Sequence, residues 1–458
     1  MIIKELKTSL GSFEIFTVFK DRKNSFFLDS GMDHEKLGRY SFIGFDPIET
    51  IKSKNGKVTI QCNGDTKEFI SNPFRELGKL LEKYKSSYSC NIPFAGGAVG
   101  YLGYDLCHHV EKLPRTAVDD VNIPDMFFGI YDGVIAIDHV EKKTFAAALG
   151  VMNDAQQIID EIESVISEAE KNGVSIDMPQ VEDSPVIDSN FTKEDYLEAL
   201  QKVKDYIRSG DIYQVNMTQR FSCKTQLQPY ELYTRLRTIN PAPFACYMDF
   251  DEGHILSSSP ERFMQIRDKK AQTRPIKGTR PRGANAAEDE ANRKELENSE
   301  KDKSELLMIV DLERNDLGKV CKTGSVKVTE LFCIEEYPTV FHLVSTVEGE
   351  LRDDVGALEC IESSFPGGSI TGAPKIRAMQ VIDELEPTQR NIYTGSIGYI
   401  GFNDDADFNI VIRTILQKGE DAYFQAGGGI VWDSDKEFEY EETLHKARAL
   451  VKALCGGE

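Results

Sequence analysis

The chain has 458 residues, of which 40% are hydrophobic and 28% are charged, a composition that is ordinary for a folded globular protein and argues against a disordered or fibrous class. Its formal net charge of −22 argues against nucleic acid or an anionic membrane surface as a partner, because phosphate groups would be repelled. An anionic substrate would therefore need cations placed locally in its site.

Nine cysteines are scattered along the chain without a C-x-x-C pair. Their odd number and spacing argue against a disulfide framework or a zinc site and indicate reduced thiols. The first residues carry no apolar signal segment, and no stretch approaches the roughly 18 apolar residues that a membrane span requires. We therefore expect a soluble, cytoplasmic protein without a membrane or nucleic-acid partner.

The first of three predicted regions, residues 1–145, contains short β-rich segments separated by turns. Examples are 57–61, which follows an Asn-Gly turn, and 131–140. One helix, at about 73–84, is predicted to interrupt these strands.

The second region, residues 146–190, is predicted to hold a helix and a linker. Helical periodicity over 154–171 ends at an Asn-Gly stop, and 174–190 is rich in Asp, Pro and Ser. The third region, 191–455, opens with a helix capped by Thr192 and then alternates strands and helices. The pattern as a whole indicates a mixed α and β protein.

Residues 367–375 form a Gly-rich turn before a predicted helix. A nucleotide-binding P-loop would need lysine directly after its last glycine, and here Ala373 and Pro374 stand before Lys375. The backbone amides of such a turn can hold an anion at a helix N-terminus, whereas a plain helix start needs no ligand. The turn alone leaves both interpretations open.

Two pairs of carboxylates have the i, i+3 spacing that places them on one helix face, namely Asp302 with Glu305 and Glu439 with Glu442. Unpaired like charges at this spacing destabilise an isolated helix by roughly 0.2–0.5 kcal/mol per pair, and a divalent cation would reverse that sign. Oxygen ligands suit magnesium, which keeps places for substrate and water. A solvated acidic face is the alternative, and spacing does not decide between them.

Lys277 lies in a segment rich in Pro and Gly, residues 273–283, which predicts a rigid strand end leading into a loop. A nucleophilic lysine must be neutral, and burial or the charges of Arg274, Arg280 and Arg282 would lower its pKa. A solvated basic loop is the alternative.

Taken together, these segments resemble the chorismate-utilising enzymes. The similarity covers most of the chain, in the order of that family's motifs: residues 259–263, 275–283, 311–318, 365–375, 393–399, 426–430 and 439–443. Residues 38–47 are similar to the family's amino-terminal region, which its isochorismate- and salicylate-forming members lack. The resemblance implies an α+β fold, a large two-sheet antiparallel β-sandwich flanked by helices, with the chemistry in the third region.

The resemblance also implies catalytic roles. Glu261 would be the general acid that protonates the departing C4 hydroxyl of chorismate. His342 matches a family active-site histidine, although a hydrogen-bonded core histidine is the alternative. A magnesium ion would hold the ring carboxylate and would itself be bound, directly or through water, by four carboxylates: Glu305, Glu442, Asp302 and Glu439.

Substrate contacts are implied for a further set of residues: Thr279, Thr371, Gly372, Tyr393, Arg413, Gly427, Gly428 and Lys446. Within this set, Tyr393 and Arg413 would hold the enolpyruvyl carboxylate, since a guanidinium can bind both carboxylate oxygens. Lys446 and the backbone amides around Gly427 would add contacts to anionic groups. The cations that the net charge of −22 withholds would thus be supplied locally.

The residues at two positions would determine which reaction the protein catalyses. Family members that add water at C2 carry a lysine base where this chain has Gln214, and a glutamine cannot act as that base. Members that aminate C2 to make anthranilate have alanine where this chain has Lys277, whereas lysine is typical of members that aminate C4. Lys277 would attack C2 and expel the C4 hydroxyl, and ammonia would then attack C4 and displace the lysine. The alternatives are amination at C2 and a non-catalytic chorismate-binding homologue.

Ammonia is expected from a separate glutaminase subunit in a heterodimer, because the chain lacks the cysteine on a Gly-flanked turn and the distant His-Glu pair that glutamine hydrolysis needs. A possible tryptophan pocket involves Ser30, Asn240 and Pro241, the positions of a feedback pocket in tryptophan-regulated members. The segment 27–30 departs from the Leu-Leu-Glu-Ser of those members, so inhibition by tryptophan is not predicted.

Overall fold

The computed structural model describes residues 1–86, 88, 90–181, 183–337 and 340–456. The helices are α1 (Ser12–Phe19), α2 (Pro73–Tyr84), α3 (Cys107–Val110), α4 (Ala155–Asn172), α5 (Lys193–Ser209), α6 (Pro229–Ile239), α7 (Ala286–Asn298), α8 (Glu300–Val320), α9 (Ala357–Ser364), α10 (Lys375–Leu385) and α11 (Lys436–Cys455).

The strands that precede the linker are β1 (Ile2–Leu6), β2 (Phe26–Asp29), β3 (Tyr40–Gly44), β4 (Glu49–Lys54), β5 (Lys57–Cys62), β6 (Asp65–Ile70), β7 (Gly97–Leu102), β8 (Met126–Tyr131), β9 (Gly133–Asp138) and β10 (Lys143–Ala148). The later strands are β11 (Asp188–Ser189), β12 (Gln214–Lys224), β13 (Phe244–Phe250), β14 (Gly253–Ser259), β15 (Arg262–Arg267), β16 (Lys270–Thr273), β17 (Ile276–Pro281), β18 (Lys327–Glu336), β19 (Val340–Glu350), β20 (Gly372–Ala373), β21 (Ser396–Gly401), β22 (Ala406–Asn409), β23 (Thr414–Lys418) and β24 (Asp421–Ile430).

These strands form two 12-stranded sheets. The first has the order β1-β10-β9-β3-β2-β13-β14-β23-β24-β12-β11, with β20 beside β12. The second has the order β17-β19-β16-β15-β22-β21-β7-β8-β4-β5-β6, with β18 beside β19. Strands from both sides of the linker pair directly, as β2 does with β13 and β7 with β21. The predicted α+β fold of two large antiparallel sheets flanked by helices is confirmed.

The main hydrophobic core lies between the two sheets. Phe42 of the first sheet contacts Tyr399 of the second, with ring centroids 5.6 Å apart. Helices cover the outer face of the first sheet, where Phe16 of α1 and Leu450 of α11 belong to a second buried cluster. Each face of this sheet is therefore covered by apolar packing, as large antiparallel sheets require.

Local sequence signals predicted several helices well. α2 begins at Pro73 after Asn72, whose side chain accepts the backbone N–H of Arg75. Asp154 caps α4 in the same way, and Thr192 caps α5. Within the linker, the described residues contain only the short strand β11 as a regular element, and residue 182 lies outside the described ranges.

Two expectations for the first region were wrong. The predicted strand 131–140 is divided between β8 and β9, because the buried Asp132 accepts the backbone N–H groups of four residues from Gly150 to Asn153. The region also contains helices α1 and α3, which were not predicted; the short α1 derives its stability from the burial of Phe13 and Phe16.

None of the helices in the described ranges has the length and apolar character needed to cross a membrane. The division into regions 1–145, 146–190 and 191–455 remains a prediction.

Candidate active site

The strand that carries Lys277 closely approaches helix α8. The pairing of β17 with β19 shifts register between Lys277 and Thr279, as at a β-bulge. Gly278 has a φ of 76°, and a Cβ at this position would lie 2.8 Å from Cγ of Asp302. A larger residue would push Asp302 away, so glycine is needed here for both conformation and space.

The ammonium of Lys277 points into the protein and donates a hydrogen bond from Nζ to the carbonyl oxygen of Ser369, at 3.2 Å. Burial lowers the pKa of Lys277, and the charge of Lys446 lowers it further. The carboxylates of Glu261 and Glu305 oppose this change without cancelling it. The environment therefore makes the neutral amine, which is the nucleophilic form, easier to reach than in water.

The arginines next to Lys277 in the sequence are engaged elsewhere. Their carboxylate partners are Glu330 and Glu335 for Arg274, Glu295 and Asp302 for Arg280, and Asp289 for Arg282. Burial, which the sequence also predicted as a cause, has the largest effect on the pKa of Lys277, and the main cationic contribution comes from Lys446 rather than from an arginine.

Glu261 lies between β14 and β15, and only 7% of its surface is exposed. The hydroxyl of Ser369 donates to its Oε1 at 2.9 Å. Burial raises the pKa of Glu261, whereas the charge of Lys277 and the hydrogen bond from Ser369 lower it, with a net rise. The protonated form of Glu261, which a general acid needs, is therefore easier to reach than in water.

Ser369 is a site residue that the sequence analysis missed. Its carbonyl oxygen accepts a hydrogen bond from Lys277 and its hydroxyl donates one to Glu261, so it connects these two side chains. The only sequence signal was its place in the Gly-rich segment 365–375, one of the motifs on which the family resemblance depends.

The four carboxylates predicted to surround a metal come from two helices, with Asp302 and Glu305 near the start of α8 and Glu439 and Glu442 near the start of α11. Burial raises the pKa of Glu305, and the negative charges of Asp302 and Glu442 add to this rise. Burial also raises the pKa of Glu439, again with a contribution from Glu442. The two helices therefore bring like charges together.

Nearby cations contact three of these carboxylates. The ion pairs are Arg280 with Asp302 at 3.1 Å, Lys301 with Glu305 at 3.9 Å and Lys446 with Glu442 at 2.6 Å. Within the described ranges, no group of three or more His, Cys, Asp or Glu side chains is arranged to hold a metal ion. The negative charge of each of these three carboxylates is thus balanced by a cationic side chain of its own.

Gly427 and Gly428 of β24 form the wall opposite these carboxylates. The carbonyl oxygen of Gly427 accepts a hydrogen bond from Nζ of Lys446 at 3.0 Å. A Cβ at Gly428 would lie 3.3 Å from Oε2 of Glu439 and 3.6 Å from Nζ of Lys446. The glycines therefore leave free space beside the charged groups.

Arg413 and Tyr393 lie on the same side of the site. Nη1 of Arg413 donates to the carbonyl oxygen of Lys446 at 2.9 Å. Burial lowers the pKa of Arg413, while the nearby Tyr393 and Glu442 raise it. Burial also raises the pKa of Tyr393, so its hydroxyl stays protonated and can donate a hydrogen bond.

Thr279 and His342 lie on neighbouring strands, and Oγ1 of Thr279 is 2.9 Å from Nδ1 of His342. Burial lowers the pKa of His342 to about 4, so this imidazole is neutral near pH 7. Thr371 is fully buried and its hydroxyl donates to the carbonyl oxygen of Gly367 at 2.9 Å, which stabilises the Gly-rich segment itself.

Gln214 lies at the start of β12, where Val215 pairs with Gly372. Its Oε1 is buried and has no hydrogen-bond partner within the part of the chain that the structure describes. Its Nε2 lies against the backbone of Gly429, where a Cβ would be only 2.1 Å away. Gln214 thus fills the space next to Gly429 as a neutral side chain.

The residues predicted as a possible tryptophan pocket lie elsewhere. Ser30 lines a cavity of about 520 Å³ whose wall also includes Pro243 and Phe244. Asn240 and Pro241 precede this part of the wall in the chain, and the Asn240 amide donates to Ser258 Oγ at 2.9 Å. The identity of any ligand in this cavity remains a prediction.

Comparisons with known proteins show which family the chain is similar to. A family model described as chorismate binding enzyme matches residues 23–452. The chain is 40% identical to aminodeoxychorismate synthase component 1 of Bacillus subtilis, over 95% of this chain and 92% of that protein. It is also 40% identical to anthranilate synthase component 1 of Acetivibrio thermocellus, over 96% of this chain and 92% of that protein. The crystal structure of anthranilate synthase component I from Streptococcus pneumoniae has a TM-score of 0.80 and 32% identity, and the match covers 90% of this chain and 92% of that one.

Proposed function

Because the chain belongs to the chorismate binding enzyme family, we propose that it is the synthase component of an aminodeoxychorismate synthase, which aminates chorismate at C4. The product, 4-amino-4-deoxychorismate, would serve the synthesis of 4-aminobenzoate and folate. Overall sequence identity does not distinguish this reaction from anthranilate formation, since relatives named for each reaction are 40% identical to the chain. The observation that supports C4 amination is the buried lysine, Lys277, whose pKa is lowered beside the general acid.

Lys277 and Glu261 would work as a pair that shares one proton. Burial lowers the pKa of Lys277 and raises that of Glu261, so both shifts favour transfer of a proton from the ammonium to the carboxylate relative to the same groups in water. No proton has to enter or leave the site to reach this reactive state. Ser369 contacts both groups, Lys277 through its carbonyl oxygen and Glu261 through its hydroxyl, and so holds the two side chains near each other.

In the first step, the amine of Lys277 would attack C2 of chorismate. The two ring double bonds would each move by one position, and the C4–O bond would break as Glu261 gives its proton to the departing hydroxyl, which leaves as water. A secondary ammonium would then join Lys277 to C2, and Glu261 would remain as a carboxylate.

In the second step, ammonia would attack C4 of this adduct. The double bonds would return to their first positions, and the C2–N bond would break to release Lys277 as a neutral amine. The new ammonium at C4 would give one proton to Glu261, which restores the acid for the next cycle. Together the two steps convert chorismate and ammonia into aminodeoxychorismate and water.

Arg413 and Lys446 would hold the carboxylates of the substrate, since Lys446 contacts Gly427 of the glycine wall and Arg413 donates to the Lys446 carbonyl oxygen. Tyr393 would donate a hydrogen bond to the enolpyruvyl carboxylate. Gln214, being neutral, would not take a proton from water, so addition of water at C2 would be suppressed.

We propose magnesium as the cofactor, held mainly by Glu305 and Glu442 with Asp302 and Glu439 next to them. The support is that burial raises the pKa of Glu305 and Glu439 and that neighbouring carboxylates add to both rises, so that a dication would find negative charge gathered here. Magnesium commonly uses only one or two protein carboxylates, so a closed group of three ligands is not needed. When bound, the ion would supply positive charge for the ring carboxylate.

A glutaminase subunit is the proposed source of ammonia, in a heterodimer with this chain. The relatives from Bacillus subtilis and Acetivibrio thermocellus are both named component 1, which supports a second component. A cytoplasmic location is proposed because all nine cysteines are free thiols, the state that a reducing compartment maintains.

The first test identifies the product. The purified protein would be incubated with chorismate, magnesium and ammonium, and the product would be passed to aminodeoxychorismate lyase. We expect 4-aminobenzoate after the lyase step. Direct formation of fluorescent anthranilate, without the lyase, would refute the proposal in favour of amination at C2.

The second test looks for the covalent adduct by mass spectrometry of protein quenched during turnover. We expect a substrate-derived mass on Lys277 in the wild type and none in Lys277→Ala. The matched control is Lys270→Ala, which removes an exposed lysine of strand β16 in the same sheet and should leave the adduct in place. An adduct that persists in Lys277→Ala contradicts the mechanism.

A further inference from the structure

A buried ion pair lies behind the Gly-rich segment and takes no part in the reaction proposed above. Nζ of Lys375 is 2.5 Å from Oδ2 of Asp316, and the two side chains are 11% and 5% exposed. Lys375 is the first residue of α10, and Asp316 belongs to α8. Both residues lie in segments that carry the family resemblance, residues 311–318 and 365–375, but neither contacts Lys277 or Glu261.

The same ammonium also closes the Gly-rich segment on itself. It donates to the carbonyl oxygens of Ser364 and Pro366, each at 2.9 Å. A lysine ammonium has three N–H donors, so Asp316, Ser364 and Pro366 use its full capacity. The side chain of Lys375, at the end of the segment, thereby fixes the position of the beginning of the segment.

Ser369 lies between these two fixed ends. Its neighbour Gly368 packs against Leu312 of α8, where a Cβ on the glycine would come within 2.6 Å of Leu312 Cδ2. On the other side, the carbonyl oxygen of Ile370 accepts from Nη1 of the buried Arg390 at 3.1 Å. Ser369 is thus held from both directions at the place where it contacts Lys277 and Glu261.

Stability alone does not account for the buried pair. Moving two charges out of water is costly, and replacing such a pair by apolar residues is often neutral or stabilising. The pair does, however, provide a charged donor with fixed directions, which an apolar side chain cannot supply. The buried pair therefore differs from an apolar replacement in the fixed directions of its hydrogen bonds and not in its contribution to stability.

We propose that Lys375, neutralised by Asp316, is a positioning residue that sets Ser369 between the nucleophile Lys277 and the acid Glu261. The inference relies on the proposed function only for the identity of the reaction. Either position of amination would need the acid correctly placed, so the tests below follow chorismate consumption rather than the product.

The first variant is Lys375→Met, with Lys319→Met as its matched control. Lys319 also binds Asp316, at 2.9 Å, but it is half exposed and makes no contact with the carbonyl oxygens of the segment. We expect Lys375→Met to lower kcat by about 10²-fold, the loss that a displacement of about 1 Å can cause. The KM for chorismate should hardly change, because Lys375 does not contact the substrate site. An equal kcat in the two variants overturns the proposal.

The second variant tests whether a folding defect accounts for the loss of kcat. Lys375→Met leaves Asp316 buried without its ammonium, which is destabilising in itself. In the double variant Lys375→Met/Asp316→Asn that carboxylate is neutral, so the thermal midpoint should rise towards the wild-type value while kcat stays low. Recovery of kcat together with stability would show that charge balance alone matters, and the positioning role would be refuted.

The third test asks whether Lys375 acts through Ser369. A double-mutant cycle compares Lys375→Met, Ser369→Ala and their combination by kcat. We expect the combined loss to be much smaller than the product of the two single losses, since both changes disturb the same contact with Glu261. Losses that simply multiply contradict the proposal. Formation of anthranilate by the wild type would refute the proposed function but would leave this cycle interpretable.

Discussion

Lys446 and Glu442 form an ion pair across one turn of α11, with 2.6 Å between Nζ and Oε1. The Lys446 ammonium is therefore paired with a carboxylate that we propose as a magnesium ligand. It also donates to the carbonyl oxygen of Gly427 in the glycine wall. One side chain therefore competes with the metal and is at the same time a candidate ligand for the substrate.

This arrangement predicts that Lys446→Gln strengthens magnesium binding in the absence of chorismate, because the competing charge is removed. The KM for chorismate should rise, since a cation for its carboxylate is lost. Isothermal titration with magnesium measures the first effect and steady-state kinetics the second. Lys452→Gln, an exposed lysine of the same helix, is the control and should change neither. Weaker magnesium binding in Lys446→Gln would contradict the competition.

Gly278→Ala should reduce both stability and magnesium affinity. The new Cβ would meet Asp302 at 2.8 Å, and the positive φ of 76° would add backbone strain. Gly324→Ala is a matched control, because Gly324 has a φ of 81° and nothing within 4 Å of its added Cβ. Both variants should lose about 1–2 kcal/mol of unfolding free energy from the backbone. Only Gly278→Ala should lose metal binding, and equal metal titrations for the two variants would speak against the close approach.

Ser369→Ala should move the alkaline limb of the pH profile of kcat/KM to higher pH. The proposed mechanism requires protonated Glu261, so activity should fall as pH rises through the pKa of this group. The hydrogen bond from Ser369 stabilises the carboxylate, and its loss raises that pKa further. The acid limb, which reflects the neutral amine of Lys277, should stay in place because the carbonyl oxygen of residue 369 remains.

Ser364→Ala is the control for this profile. Ser364 lies next to the same segment, and its Oγ has no hydrogen-bond partner among the described residues. An alkaline limb that moves to lower pH in Ser369→Ala, or that moves equally in both variants, is inconsistent with the assignment of Glu261.

Arg390→Met should strongly destabilise the fold. Arg390 and Glu386 are paired at 2.6 Å, with side chains 1% and 4% exposed. Removing the guanidinium leaves a buried carboxylate unpaired, at a cost of about 3–5 kcal/mol. Chemical denaturation measures the loss, and Arg390→Met/Glu386→Gln should be less destabilised than the single variant. A single variant as stable as the wild type would show that Glu386 is neutral or hydrated.

The sequence predicted the elements that depend on local signals. Thr192 predicted the start of α5, because a capping side chain satisfies backbone donors a few residues away, and the sequence pattern also predicted α2 and α4. The two-sheet architecture came from the family resemblance, since β2 and β13 pair across the chain without a local pattern to reveal it. Helix α1 was missed because packing of its phenylalanines stabilises it more than its own short sequence does.

The roles given to the candidate site residues remain predictions, and the contacts between those residues could not be predicted from the sequence. Lys277 and Glu261 were identified, yet the link between them through Ser369 depends on a residue about 90 positions further along the chain, a separation that spacing arguments do not bridge. The ion pair of Arg280 with Asp302 likewise depends on how tightly β17 approaches α8. Such contacts are set by tertiary packing, which helical or strand periodicity does not encode.

The pairing of β2 with β13 and of β7 with β21 has a consequence for synthesis of the protein on the ribosome. Each early strand emerges long before the partner that covers one of its edges. Until that partner arrives, exposed backbone N–H and C=O groups can pair with other nascent chains. The interleaved sheets thus make aggregation of incomplete chains the main hazard of production, and they make a truncated catalytic region an unsuitable substitute for the whole protein.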